Sequence, residues 1–301
     1  MDIPSHTAIK HHILAYYFKC CKDTLRYRMK KYSAPLYYID LYCRDGETLD
    51  KTTRKTFLSP FVKSFMQEGV VDEKLDIKFV LNDFDDNKIK ILQDRIDKLK
   101  ISSNVIDIQH KDANSYIDDV LTKVPNYVWS IFFLDPFKHK QLKWSTIEKI
   151  ANHSYTGKKN VRRPEMIIHL PTYTLSNGLK SNSYKDIDEF FGTDSWLEKI
   201  NKYRIEKRKQ PVISGFRDTF VERIEALGYK VASIPIESIE HNVPIYYLIF
   251  AVANDNAYKI VKSAIDYSKA LKPGWIDEKQ MEIDKVKAVG TKGKSLLDYT
   301  N

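Results

Sequence analysis

Tyr37-Tyr38-Ile39-Asp40-Leu41-Tyr42-Cys43-Arg44-Asp45-Gly46 is the stretch that decides the fold. An apolar run ends in an acidic residue and passes at once into turn residues. A buried parallel strand that opens into a tight loop reads this way, and in open α/β sheets such loops carry the ligand. They favour an early glycine, for close backbone approach or for a positive φ. Here Arg44 holds that place and the first glycine is Gly46. Three outcomes stay open for Arg44. Its side chain points away, at a backbone cost of about 1 kcal/mol if φ is positive; it fills the ligand's place; or it pairs with a ligand carboxylate.

Working outward, the chain alternates strand and helix patterns. Ile9, Ile13, Leu14, Tyr17 and Phe18 have helical spacing over residues 6–22. The first strand runs from Tyr37 to Tyr42. Ser59-Pro60 starts a helix that reaches about Gly69, with serine as N-cap and proline at the first helical position. Strands are expected from Asp76 to Leu81, Val105 to Ile108, Tyr127 to Leu134 and Glu165 to Leu170. Helices lie between them at Asn87 to Lys100, Tyr116 to Leu121 and Ser145 to Ala151. Residues 171–212 break the alternation and are too long for a plain connection, so they read as an insertion, helical around Ile187 to Phe191 and Trp196 to Arg208. A helix from Arg217 to Leu227 ends at Gly228. Lys230 to Ile236 and Ile245 to Ala253 then form an antiparallel pair, and Asn254 caps a last helix to Lys269.

This order predicts an α/β fold: an open, mostly parallel, Rossmann-like sheet of seven strands, the last one antiparallel, with helices on both faces and a helical insertion after the fifth strand. The expected organisation is an N-terminal helical segment over 1–35, the α/β domain over 36–271 with its insertion at 171–212, and a charged tail over 272–301. Loops at the carboxyl ends of the strands form the active edge. The basic run Lys158-Lys159-Asn160-Val161-Arg162-Arg163 precedes the fifth strand and falls on the opposite edge.

Composition narrows the class. The chain has 301 residues, 43% hydrophobic and 12% aromatic, enough for a substantial core rather than disorder. No apolar run reaches the roughly 18–20 residues of a membrane span, and the start carries no basic-then-apolar signal pattern, so a cytoplasmic protein with no membrane partner is expected. Cys20, Cys21 and Cys43 have no zinc spacing; they read as reduced thiols, with no structural metal. A net charge of +9 favours an anionic partner such as nucleic acid, although lysine-rich surfaces also occur without one.

Four acidic residues close four successive strands: Asp40, Asp83 (with Asp85 and Asp86 behind it), Asp112 and Asp135. Each taken singly is also an ordinary helix cap or turn residue. Together their placement resembles that of class I S-adenosylmethionine-dependent methyltransferases. There a carboxylate after the second strand accepts from both ribose hydroxyls, one after the third reaches the adenine amino group, and one near the first loop meets the cationic amino-acid end. No G-x-G-x-x-G opens the first helix, which disfavours a nicotinamide cofactor. Leu134-Asp135-Pro136-Phe137 resembles the (Asp/Asn)-Pro-Pro-(Tyr/Phe) motif of amino methyltransferases with one proline missing. In that motif the carboxylate and a proline carbonyl accept from the target amine, and the ring stacks on the target base. The alternative is a turn with Phe137 in the core.

Basic residues expected on the active edge are Lys51, Arg54, Lys55, Lys111, Lys138, Lys140, Lys143, Arg204, Lys207, Arg208 and Lys209, with Tyr173, Tyr184 and Tyr203 nearby. The mixture suits a phosphate backbone and stacked bases, or else a solvated face. His139 could act as a base, although a lone loop histidine reads more simply as an exposed residue.

The chain as a whole resembles the three-Cys-motif partner protein family, which is methyltransferase-like. His6-Thr7 with Lys10 and Ile13-Leu14 is similar to its first helix, and Tyr38-Ile39-Asp40-Leu41 to the start of its Tyr-Ile-Asp-Leu-Phe-Ala-Gly-Pro-Gly loop. Ser59-Pro60, Asp112-Ala113-Asn114, Leu134-Asp135-Pro136-Phe137, Phe190-Phe191-Gly192 with Trp196, and Tyr246-Tyr247-Leu248-Ile249-Phe250-Ala251 follow in order. The resemblance implies S-adenosylmethionine as cofactor, held by Asp40, Tyr42, Gly46, Asp83, Asp112 and Ala113. It implies an acceptor site at Asp135, Pro136 and Phe137, and a partner carrying a radical-type three-cysteine motif. The chain departs from the family at Arg44-Asp45-Gly46, which falls on Gly-Pro-Gly. The leading expectation is a transferase that methylates an amino group of a nucleic acid. Two alternatives stand beside it: a non-catalytic binding protein that kept the fold, and a metal-dependent phosphate-processing enzyme using Asp83, Asp85 and Asp112.

Overall fold

The computed structural model describes residues 9–10, 13–21, 24, 27, 34–49, 56–58, 76–98, 106–156, 161–237 and 243–270. Short apolar runs build the main sheet. Its strands are β1 (Leu36–Asp40), β4 (Ile77–Asp83), β5 (Ile106–His110), β6 (Trp129–Leu134), β9 (Glu165–Leu170), β10 (Lys230–Glu237) and β11 (Pro244–Val252). They lie in the order β10-β11-β9-β6-β1-β4-β5. β1 is central and parallel to both neighbours, with Ile39 opposite Val80 on one side and Phe132 on the other. β11 is antiparallel to β9 and to β10, as the paired apolar runs predicted. The expected fold class is the one observed.

Alternation along the strands sorts the core into two layers. Tyr38, Phe79, Leu81, Ile131, Phe133 and Phe250 face one side. They pack against α1 (described at residues 9–10, 13–21, 24 and 27), α2 (Asp86–Lys98) and α9 (Asp255–Ala270). Ile39, Val80, Phe132, Leu134 and Ile168 face the other. Their partners are α3 (Ala113–Lys123), α4 (Trp144–Asn152) and α8 (Pro211–Ala226). The segment after β9 folds as α5 (Thr172–Lys180), α6 (Tyr184–Phe191) and α7 (Ser195–Ile205), whose Phe190, Phe191 and Trp196 extend this second layer.

α1 lies across the first face. Phe18 meets Tyr38 edge-on with ring centroids 5.6 Å apart, and Tyr17 meets Phe250 at 5.1 Å. The Tyr17 hydroxyl donates to Glu165 at the start of β9 (3.1 Å). Seven residues earlier, about 10 Å along a helix, Lys10 reaches the opposite edge of the sheet, beyond the end of β6.

Boundaries differ where turn geometry intervenes. β1 stops at Asp40 because the chain turns at Leu41-Tyr42. β6 starts at Trp129 because Pro125 to Val128 is a turn closed by the Val128 N–H on the Pro125 carbonyl (3.2 Å). α8 begins at Pro211, six residues before the expected Arg217, since Gln210 adopts φ +51° and hands Pro211 the first helical position. Gly228 (φ +86°) follows α8 with its N–H on the Glu225 carbonyl (2.8 Å), and the Asn254 side chain accepts from the Ala257 N–H (3.0 Å) at the head of α9. Two short ladders escaped the sequence: β2 (Glu47–Leu49) with β3 (Thr56–Leu58), and β7 (Tyr155–Thr156) with β8 (Val161–Arg162). The helix expected from Ser59-Pro60, the tail over 272–301, and His6, Thr7, Lys51, Arg54 and Lys55 lie outside the described residues. Among the described residues no helix is long and apolar enough to cross a membrane.

Candidate active site

β1 feeds its loop between the carboxyl ends of β4 and β6, the switch point of the sheet, where open α/β sheets bind their ligands. Neighbouring backbone holds this loop. The Cys43 N–H donates to the Asn82 carbonyl (2.9 Å), and the Gly46 N–H closes a turn on the Cys43 carbonyl (3.1 Å). Arg44 takes φ +54° and Gly46 takes φ +69°. The Arg44 side chain is exposed, so of the outcomes open from sequence it points away, and its backbone takes the left-handed conformation itself. Its N–H donates to Asp83 Oδ2 (2.9 Å). From α2, the Arg95 guanidinium donates to the Asp45 carbonyl and lies 3.5 Å from the Asp45 carboxylate.

Asn82 joins three loops from full burial. Its amide donates to the carbonyls of Leu41 (3.2 Å) and Lys111 (3.0 Å), and its Oδ1 accepts from the Lys111 N–H (3.0 Å). Asp83, the next residue, accepts from Arg44 on one oxygen and from the Asp85 N–H on the other (2.9 Å). One lone pair on each oxygen stays available. Beside it Phe84 is 73% exposed, its carbonyl 2.8 Å from His110 Nε2.

Asp112 caps α3, its Oδ2 accepting from the Ser115 N–H (3.0 Å), and buried Ala113 follows. The cap reading of this residue therefore holds; close by is Tyr42, whose hydroxyl is held high by burial first and then by Asp112 and Asp83. Tyr42 donates to the Gln141 carbonyl (2.8 Å). Asn114 donates to the same carbonyl (2.9 Å) and accepts from the Lys143 N–H (2.9 Å) and the Thr146 hydroxyl (2.9 Å), fixing the loop after β6.

Asp40 is the most buried acid of the group. Burial raises its carboxyl well above the ordinary range. The charges of Asp135 and Asp83 raise it further, and the Tyr42 N–H (3.0 Å) and Lys10 only partly offset them. Asp135 is the reverse case. Burial opposes its charge, but Lys10 Nζ at 2.6 Å from Oδ2 and His169 Nδ1 at 3.1 Å from Oδ1 hold its carboxyl well below the ordinary range. His169 Nδ1 also lies 3.1 Å from the Pro136 carbonyl. Phe137 is 74% exposed, which overturns the core alternative for that ring, and Tyr173 at the head of α5 is 64% exposed.

Asp40, Tyr42, Gly46, Asp83, Asp112, Ala113, Asp135, Pro136 and Phe137 thus all line one edge. His139 corrects the sequence reading. It is 3% exposed, its Nδ1 lies 3.2 Å from the Thr174 hydroxyl, and burial lowers its imidazole. Gly178 packs on that ring, so a small residue on α5 makes room for it. Several edge cations pair with acids while staying about half exposed: Lys111 with Asp119 (2.9 Å), Lys140 with Asp186 (2.7 Å), Lys143 with Glu189 (3.1 Å) and Arg208 with Glu206 (2.6 Å). Tyr203 is buried under Arg208. Asn82, His169 and Phe84 gave no sequence signal: Asn82 sits inside an apolar strand pattern, and the partners of the other two come from distant segments.

The strand order defines an open, mostly parallel, Rossmann-like α/β fold with an antiparallel strand. Solved structures with a similar fold include a Staphylococcus aureus protein described as a caffeoyl-CoA O-methyltransferase, at 13% identity over 76% of this chain and 81% of that one, with a TM-score of 0.36. Precorrin-6y C5,15-methyltransferase from Geobacter metallireducens shares 10% identity over 77% and 88%, TM-score 0.36. The plantazolicin methyltransferase BpumL, in complex with SAH, shares 11% over 82% and 86%, TM-score 0.38. At these values the likeness says nothing about activity, and the fold class rests on the strand order itself. No protein-family model matches the chain, and no curated protein does.

Proposed function

We propose that the protein binds S-adenosylmethionine at the carboxyl edge of β1, β4 and β5 and transfers its methyl group to an amino group held at Asp135. The observation that carries this is the gathering of Asp83 and Asp135 on either side of buried Asp40, each close enough to act on its charge, around a loop that keeps its left-handed turn despite Arg44. The donor set fits the cofactor. Asp83 retains an acceptor lone pair on each oxygen for a ribose diol, exposed Phe84 offers a ring face to a base, and Asp112 leaves one oxygen for an amino group. When bound, the cofactor supplies an electrophilic methyl group. The chain's own part is to seat it, to orient the acceptor through Asp135 and the Pro136 carbonyl, and to stack it on Phe137.

A nucleic acid as acceptor draws support from the net charge of +9 and the exposed rings of Phe137 and Tyr173, while the acid-paired lysines of the edge weigh against it. A radical-type three-Cys-motif protein as partner, and membership of the corresponding family, rest on the sequence resemblance alone. Titration calorimetry with S-adenosylmethionine tests the reading. Asp83 makes two charged contacts of roughly 1.5–3 kcal/mol each, so Asp83→Ala weakens binding more than about tenfold. No heat at millimolar cofactor defeats the proposal.

The Lys10–Asp135 contact favours a second reading, in which the fold serves binding and the acceptor carboxylate is closed for good. A stable complex with a protein or nucleic acid, without any cofactor binding, would select it. The metal-dependent reading needs Asp83, Asp85 and Asp112 to converge; among the described residues no three His, Cys, Asp or Glu side chains form such a group.

A further inference from the structure

Lys10 is 125 residues from Asp135 in sequence, yet its Nζ lies 2.6 Å from Oδ2 with the two side chains only 12% and 20% exposed. The ammonium is delivered from α1, which grips the sheet on either side of Lys10: Ile9 packs on the core, and Ile13 and Leu14 are fully buried. Tyr17 donates to Glu165, Tyr16 stacks on Tyr267 with centroids 4.3 Å apart, and Phe18 packs on Tyr38. Release of the ammonium therefore asks for a change of its own side-chain rotamer, with the helix left seated. Around the ammonium stand Asp135 as direct partner, Asp40 close enough to feel its charge, and His169 on the far carboxylate oxygen, walled by Tyr246 edge-on at 4.3 Å.

We propose that Lys10 is an internal occupant of the acceptor position: its ammonium stands where the amine of the methyl acceptor binds, closing the site until a primary ammonium group on a ligand replaces it. The proposal rests on the reading of Asp135 as the carboxylate that receives the acceptor amine, and it narrows the acceptor class. An enclosed carboxylate stripped of its cation is strongly unfavourable. The group that displaces Lys10 must then bring its own positive charge, as an aliphatic amine does at neutral pH and the neutral exocyclic amine of a nucleobase does not. Charge-for-charge exchange keeps Asp135 paired while the ligand binds; the bound ammonium must then give up a proton to water before its nitrogen has a lone pair for the methyl group, and Lys10 is an autoinhibitory cap matched to one kind of ligand.

Chemical rescue tests this on the full chain with n-butylammonium as probe. Lys10→Ala lowers Tm, and millimolar n-butylammonium restores at least half of the loss. n-Butanol restores none, and the native chain, already occupied, shifts with neither. Equal shifts in the native and variant proteins, or none in either, overturn the proposal. Should Lys10→Ala fail to fold alone, its refolding yield in millimolar n-butylammonium against n-butanol decides. Recovery of folded protein with the ammonium only is expected, and equal recovery with both, or none with either, is the contrary result. Neither measurement uses S-adenosylmethionine. Failed rescue with intact cofactor binding rejects the cap alone, and rescue without cofactor binding rejects only the methyl-transfer reading.

Discussion

Replacing Arg44 by glycine separates the two roles that position can have. The backbone there sits at φ +54° with its N–H on Asp83, and the side chain is exposed. A left-handed conformation costs an L-residue roughly 1–2 kcal/mol, which glycine removes. Glycine also adds freedom to the unfolded chain, at about 0.4–1 kcal/mol. The balance is a gain of roughly 0.5–1 kcal/mol for Arg44→Gly. Arg44→Ala keeps the strain and should fall within about 0.5 kcal/mol of the native protein, as exposed substitutions do. Urea unfolding of the three proteins, with slopes compared as well as midpoints, measures both differences. Calorimetry with S-adenosylhomocysteine on the same samples should find affinities within about threefold, a difference of roughly 0.7 kcal/mol. If Arg44→Gly is less stable than Arg44→Ala, or its affinity moves by more than about tenfold, the side chain acts in the site and the backbone argument is wrong.

Gly192 ends α6 at φ +64°, and a Cβ there would overlap the Trp144 ring, which is confined by Phe220 and by Arg223 above it. Gly192→Ala should cost about 2–4 kcal/mol, and a loss under about 1 kcal/mol in thermal unfolding would show the ring free to yield. Asn82→Ala orphans the Leu41 and Lys111 carbonyls and the Lys111 N–H, so a loss of about 2–4 kcal/mol is expected. Faster amide exchange should appear at Cys43 and Lys111, and unchanged exchange there would contradict the three-loop role. For Asp40 the folded carboxyl is raised above its unfolded value, so its ionisation drains stability as pH rises above the ordinary carboxylate range. Asp40→Asn should therefore gain on the native protein in denaturation midpoints as pH rises from the unfolded value of about 3.9. A pH-independent difference would refute the shift. Asp135 has the opposite sign: its carboxyl is held low, so the stability it gives is present at neutral pH and is lost as pH falls below the ordinary carboxylate value.

The sheet was legible because parallel strands covered on both faces must be apolar in runs. Ile-Phe-Phe-Leu before Asp135 and Met-Ile-Ile before His169 have little other use. The candidate edge followed from that alone, since four acids at four strand ends share an edge whatever their roles. What escaped has physical reasons. The β2–β3 and β7–β8 ladders are two or three residues long and carry no period. Helical spacing at Ile9, Ile13 and Tyr17 finds the buried face of α1 but not that Lys10, off that face, meets a carboxylate 125 residues away. His139 looked like a solvent-facing loop residue because the residues that enclose it, Thr174 and Gly178, arrive with a helix inserted after the next strand. Asn82 satisfies backbone groups of two other loops, a task with no local signature.

The most direct test of the account is a crystal structure of the full chain grown with S-adenosylhomocysteine. The ligand should lie along the carboxyl ends of β1, β4 and β5, its ribose hydroxyls within hydrogen-bond distance of Asp83 and its base beside Phe84, with the Arg44 side chain still in solvent. Ligand density elsewhere on the molecule, or none beside Asp40 and Asp83 at saturating concentration, would contradict the assignment of this edge as a methyl-donor site.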